Sequence, residues 1–215
     1  MMNGLEKRCS ALIGFALYPL ACTVCFGHSF DNEPNWRAQI TGLNIKPVGM
    51  KSNISSIGGE VVTPSQRYLG MSLSYFITPN WAIEFQGGPF QRSYKIANSR
   101  VGTFPVAKIS NLAVGISIQY HFSSVESLSP YVGVGLNHAW TKKVKGAPGI
   151  PDFDVKDITS KTFVAGVDYR LSARWILTTS IQYILTPEYG FSAPGFETSV
   201  KINTLITGIG LGYRF

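Results

Sequence analysis

Cysteine is almost missing from this 215-residue chain: Cys9, Cys22 and Cys25 are all there is. Beyond residue 25 there is no thiol nucleophile, no disulfide framework and no cysteine-based metal site. Charge is also scarce. Asp, Glu, Lys and Arg make up 14% of residues, against about 25% in a typical soluble domain. The net charge is +7, yet no run of like charge is longer than Lys142-Lys143. A nucleic-acid binder would concentrate its cations in a stripe, so that class is disfavoured. No stretch after the N-terminal region has 18 consecutive apolar residues, so no membrane-spanning helix is expected. Catalytic signatures are missing as well. No G-x-S-x-G occurs, and His28, His121 and His138 do not have metal-ligand spacing. Gly133-Val134-Gly135-Leu136-Asn137-His138 and Gly208-Ile209-Gly210-Leu211-Gly212-Tyr213 lack the last glycine of a dinucleotide loop and follow no βαβ pattern. Neither an enzyme nor a cofactor is expected. What is plentiful is aromatic residues (13%) and glycine (22 residues).

The first 27 residues have the layout of a secretory signal. Lys7 and Arg8 precede an apolar stretch from Ala11 to Val24, and small residues lead to Gly27. The stretch is short for a membrane anchor and is broken by Pro19. Lipidation would need an aliphatic residue three before a cysteine; Pro19 holds that place before Cys22. Cleavage near Gly27 removes all three cysteines with Glu6, Lys7 and Arg8, lowering the net charge from +7 to +6. The expected organisation is a signal at 1–27 and one domain at 28–215.

That domain alternates with period 2, the signature of strands with two unlike faces. Eight segments show it: Asn35–Ile45, Gln66–Ile77, Trp81–Phe90, Asn111–Phe122, Pro130–Thr141, Thr162–Leu171, Trp175–Leu185 and Ser199–Phe215. In the fourth, Leu112, Val114, Ile116, Ile118, Tyr120 and Phe122 share one face, opposite Ala113, Gly115, Ser117, Gln119 and His121. Connectors Thr78-Pro79-Asn80, Ser123–Ser129 and Ser172–Arg174 are short; those around 46–65, 91–110, 142–161 and 186–198 read as long polar loops. An even strand count with short turns at one end and long loops at the other fits a barrel in lipid, where no open sheet edge can persist. A soluble sandwich or lipocalin-like barrel would use the apolar face as its core. Two features disfavour it. The mixed face is rich in glycine, and the apolar face ends in aromatics at the short-turn margin: Trp36, Tyr75, Trp81, Phe122, Tyr169, Trp175, Tyr213 and Phe215. Such a margin matches an interfacial girdle. The expected fold is all-β, an eight-stranded antiparallel transmembrane β-barrel.

Ordering the inward residues by depth separates two zones. Arg37, Glu84, His121, Asp168, Arg170 and Arg214 fall together near the short-turn end. Leu43, Ile45, Tyr68, Ala113, Val164, Ile184 and Ile206 fall toward the other mouth. The charged layer reads as a structural plug or as a gate. The apolar wall reads as a ligand site or as a filled core, with lumen glycines such as Gly115 expected to leave free space. His138 falls on the outer face. Arg92, Lys95, Arg100, Lys108, Lys142, Lys143, Lys145, Lys156 and Lys161 make the long-loop end basic. They are either a solvated surface or contacts for lipopolysaccharide phosphates.

The chain resembles the OmpW family of outer-membrane proteins, including its AlkL-type members, from about Asn35 to Phe215. Asn35-Trp36-Arg37-Ala38, Thr78-Pro79-Asn80-Trp81, Ile83-Glu84, Pro89-Phe90 and Gly166-Val167-Asp168-Tyr169 carry the likeness. Its most specific part is Pro130-Tyr131-Val132-Gly133-Val134-Gly135-Leu136-Asn137. The resemblance implies a monomeric eight-stranded barrel in the Gram-negative outer membrane, with passage of small hydrophobic solutes and release between strands. It also implies recognition of the ending Tyr213-Arg214-Phe215 by the barrel-assembly machinery. Ile109-Ser110-Asn111-Leu112 and Leu185-Thr186-Pro187 depart from the family pattern at the mouth. Rival roles are an adhesive barrel acting through its loops and a nonspecific ion pore.

Overall fold

The computed structural model describes residues 35–53, 59–123, 126–148, 154–193 and 196–215. The signal segment 1–27, its cysteines and His28 lie outside the described residues. The strands are β1 (Trp36–Asn53), β2 (Glu60–Val62), β3 (Gln66–Phe76), β4 (Trp81–Ser99), β5 (Gly102–His121), β6 (Leu128–Gly146), β7 (Asp154–Val155), β8 (Ile158–Arg170), β9 (Trp175–Leu185), β10 (Tyr189–Ala193) and β11 (Phe196–Arg214). Eight are long (β1, β3, β4, β5, β6, β8, β9 and β11), and each overlays one of the alternating segments.

Each long strand pairs antiparallel with the next. β11 returns to β1 from Arg37↔Arg214 to Asn53↔Ser199, closing the barrel. At the seam, the Trp36 N–H donates to the Phe215 carbonyl (3.3 Å) and the Phe215 N–H to the Trp36 carbonyl (3.0 Å). Two short turns are held by a hydroxyl at their first position. Thr78 Oγ1 accepts from the Asn80 and Trp81 N–H groups (3.3 and 3.0 Å), and Ser172 Oγ from Arg174 and Trp175 (3.4 and 3.2 Å). Such side-chain acceptors replace ladder partners where the chain reverses.

The outer surface of the lower barrel is apolar. Ile40, Val134 and Ile209 are 60%, 56% and 58% exposed, as only acyl chains would permit. The aromatic margin pairs across strands: Trp36 with Tyr75 (4.8 Å between ring centres), Trp81 with Tyr120 (5.0 Å) and Trp175 with Tyr213 (5.0 Å). The Arg174 guanidinium donates to the Tyr213 hydroxyl (3.0 Å) below it.

The segments expected as long loops are largely strand, which corrects the sequence reading. β4, β5 and β6 span 19, 20 and 19 residues, where about 10 suffice to cross a bilayer. Segment 91–110 is the far half of one hairpin, turned at Arg100-Val101 with Asn98 (φ 55°) and Gly102 (φ 92°) in the left-handed region. Two physical effects hide this. Bulges at Tyr94/Lys95 on the β4–β5 ladder and at Ser110/Asn111 on the β5–β6 ladder shift the register. The faces also exchange character. Tyr94, Ile96, Ala107, Ile109, Val200 and Ile202 point inward as a buried cluster with Val61 of β2, while Lys95, Lys108 and Lys201 between them are exposed.

Candidate functional site

The charged layer forms a floor. Arg37, 1% exposed, comes from β1; its Nη1 donates to Asp168 Oδ2 of β8 at 2.5 Å, and its Nη2 lies 3.7 Å from Glu84 Oε2 of β4. Polar neighbours complete both carboxylates. Thr178 Oγ1 donates to Asp168 (2.5 Å), while Ser74 Oγ (3.1 Å) and Gln119 Nε2 (3.0 Å) donate to Glu84. His121 Nδ1 stands 3.5 Å from Asp168, its ring stacked on Tyr131 at 4.8 Å. Phe76 lies under two guanidinium groups, Arg37 at 5.4 Å and Arg214 at 4.9 Å. Two arginines and two carboxylates balance in formal charge, and both carboxylates are hydrogen-bonded. That is the condition under which buried charge is tolerated. Arg170 ends β8 in an exposed position and is not buried with this group. The sequence reading placed Gln119 on the inward face without assigning it to this layer, and passed over Ser74, Phe76, Tyr131 and Thr178. Strand parity places these four inward and could have found them.

Above the floor lies a cavity of about 180 Å³. For scale, a cavity of about 150 Å³ accepts benzene. Leu43, Ile45, Tyr68, Ala113, Ile184 and Ile206 line it, as expected. Val164 does not. It is buried at 6% against Gly133, whose added Cβ would come within 2.9 Å of Val164 Cγ1. The wall is also less uniformly apolar than expected. Gln86 of β4 and Gln182 of β9 exchange amide hydrogen bonds across the lumen (3.0 Å each way). The glycines beside the lumen mostly permit close packing instead of leaving space. A Cβ on Gly115 would collide with the Asn137 side chain, and one on Gly166 with the Tyr131 ring. Gly88 differs: the nearest atom to its added Cβ is the Leu69 carbonyl oxygen, at 3.7 Å.

The wall beside Gly88 is interrupted. The β3–β4 ladder runs from Phe76↔Ala82 only to Met71↔Gly87, and β4 next gains a partner on that side at Val62↔Lys95 of β2. Between these points, 88–94 of β4 and 66–70 of β3 have no mutual backbone pairing among the described residues. Pro89 stands in this stretch and has no N–H to contribute. A side chain bridges the opening instead: the Tyr68 hydroxyl accepts from the Gln91 N–H (3.0 Å) and donates to the Gln91 carbonyl. The cavity is lined here by Leu69 and Met71, which are 75% and 66% exposed on the outer surface. The cavity thus borders the stretch of wall where β3 and β4 are unpaired.

Among the basic residues of the long-loop end, Lys95, Arg100, Lys108, Lys142, Lys143, Lys145, Lys156 and Lys161 are exposed. Arg92 departs from that expectation: it turns inward and lines the cavity. His138 is on the outer face, with Nδ1 2.8 Å from Thr159 Oγ1, opposite in facing to buried His121. Among the described residues no group of His, Cys, Asp and Glu is placed to hold a metal ion.

Comparison with known proteins agrees with this architecture. The model of the OmpW family matches residues 36–215. Outer membrane protein AlkL of Ectopseudomonas oleovorans is 28% identical, with 86% of this chain and 84% of that protein covered. Outer membrane protein W of Escherichia coli K12 is also 28% identical, covering 90% and 94%. Among solved structures, the crystal structure of OprG from Pseudomonas aeruginosa superposes with a TM-score of 0.72 at 18% identity, covering 85% of this chain and 97% of that one. The solid-state NMR structure of AlkL in lipid bilayers superposes with a TM-score of 0.66 at 25% identity, covering 88% and 93%.

Proposed function

The chain belongs to the OmpW family, a family of Gram-negative outer-membrane barrels, and on that premise we propose that it passes small hydrophobic molecules from the outer mouth sideways into the membrane. One observation carries the proposal: above the Arg37–Asp168–Glu84 floor, the cavity is lined by the stretch where β3 and β4 have no mutual backbone pairing among the described residues. A solute moving straight through would have to break a buried ion-pair network. A solute leaving between Gly88 and Leu69 displaces one tyrosine bridge and meets acyl chains. The same floor argues against a nonspecific ion pore. The role needs no chemistry and no cofactor, and a closed barrel can serve it as a monomer.

Gly88 is the place to test this, because a side chain there has room and stands at the opening. Gly88→Leu is expected to cut uptake of a hydrophobic fluorophore into liposomes holding the folded barrel severalfold. Heat-modifiable mobility on gels confirms folding. Undiminished uptake by a folded variant would sink the proposal.

A second contact is supported by the exposed cations of the extended wall. Lys108 and Lys145 face each other directly across the β5–β6 ladder, an arrangement that costs stability unless an anion lies between them. Lipopolysaccharide phosphates supply such anions at that height. The ending Tyr213-Arg214-Phe215, which completes the β1–β11 seam, is the segment proposed to engage the assembly machinery.

A further inference from the structure

Arg92 is a cation at the wall of a cavity lined by both apolar and neutral polar side chains. It belongs to β4 and follows Glu84, Gln86, Gly88 and Phe90 on the inward face. Its Nη2 crosses the lumen to donate to Thr204 Oγ1 of β11 at 2.9 Å, and its guanidinium carbon lies 5.6 Å from the centre of the Phe90 ring. Both partners are neutral. Among the residues whose side chains are described, no carboxylate lies within ion-pair distance of Arg92. Among the described residues, the acidic residue lining the cavity is Glu84, already engaged by Arg37, Ser74 and Gln119.

The contrast with Arg37 is informative. Both arginines point into the same lumen, Arg37 in the floor and Arg92 at the cavity wall. Among the described residues Arg37 is matched by two carboxylates, whereas Arg92 meets a hydroxyl and a ring. Removing a cation from water without an anion is costly, so an unmatched one at a cavity wall is suited to an anion from outside. Guanidinium carries five N–H donors in a planar fork that fits a carboxylate with two parallel bonds. One of those donors is used on Thr204. Arg92 also stands within 88–94, the stretch of β4 that borders the side opening.

We infer that Arg92 is a head-group site, and that the preferred solute is a single-chain carboxylate with its anion on Arg92 and its tail in the cavity. This rests on the conduit reading and names the solute class for it. A cavity of about 180 Å³ is too small for a two-chain phospholipid but suits part of one alkyl chain. The carboxylate would be held at the opening, so the tail leads through the gap between β3 and β4.

The test uses the folded barrel with three probes of equal chain length: decanoate, methyl decanoate and decylammonium. Binding in detergent and flux into liposomes are both measured. Decanoate is expected to bind about tenfold or more above the ester, the size of one charge-assisted contact, with decylammonium weakest. Arg92→Gln should bring the decanoate-to-ester ratio to near one, and Arg92→Lys should restore part of it. Thr204→Val, which removes the hydroxyl acceptor but keeps the cation, should lower the ratio less than Arg92→Gln does. Equal binding of all three probes by the unaltered barrel overturns the head-group site while ester flux upholds the conduit. A ratio unchanged in Arg92→Gln also overturns it. Absence of flux for every probe removes the conduit itself.

Discussion

The lower and upper halves of this barrel are built from the same strands and are opposites in cross-section. On β5, Val114, Ile116 and Ile118 point outward over Ser117 and Gln119, which are buried inside. A few residues earlier on that strand, Ala107 and Ile109 are buried inside and Lys108 is exposed outside. β11 repeats the inversion, with Ile209 and Leu211 outward below and Val200 and Ile202 inward above. The lower half has lipid outside and a narrow polar interior; the upper half has water outside and an apolar interior like that of a soluble protein. What changes along the strand is the solvent. The lesson is that a face is apolar because of what it meets, and a strand long enough to leave the bilayer must exchange its faces as it does so.

The largest expected effect is in the lower interior. Asp168→Ala leaves Arg37 without its 2.5 Å partner and should destabilise the barrel by about 3–5 kcal/mol, the penalty for breaking a buried ion pair by removing one member. Replacing both members, Arg37→Met with Asp168→Leu, should cost clearly less. Urea unfolding in detergent micelles measures both, and a single variant as stable as the parent would show that the floor is not an energetic unit.

The next effect sharpens the inversion itself. Ile116→Lys puts a cation on the lipid face and should cost about 2–4 kcal/mol if that position lies near the bilayer midplane. The reverse change above the bilayer, Lys108→Ile, should stay within about 0.5 kcal/mol in plain detergent, as surface substitutions do. It also relieves the facing Lys145, so added lipopolysaccharide should then stabilise the variant less than the parent. Thermal unfolding with and without lipopolysaccharide reads both results. If Ile116→Lys and Lys108→Ile cost the same, the two halves do not differ as described.

Much of this was legible in the chain. Every long strand was visible because lipid imposes strict alternation on the lower barrel, and the girdle was visible because aromatics collect where that alternation ends. Arg37, Glu84, His121 and Asp168 could be grouped because parity and strand direction set depth. Arg170 was misplaced because parity says which way a residue points but not whether a strand end is covered. The upper wall read as loops because the β4–β5 and β5–β6 bulges and the exchange of faces break period 2 within a few residues. Val164 was placed in the cavity wall, but it packs against the closely approaching Gly133 and is buried instead. Gly115 read as free space, yet the Asn137 side chain fills it.

The amino-acid order alone determined that this is a closed barrel with greasy flanks and a charged band near its short turns, because side-chain alternation is a local property of each strand. Only the tertiary structure decided that the ladder between β3 and β4 stops at Gly87, and that Arg92 reaches across to Thr204. Both depend on which residues of distant strands lie level with one another. That is set by stagger, bulges and tilt around the whole cylinder, and no single segment encodes it.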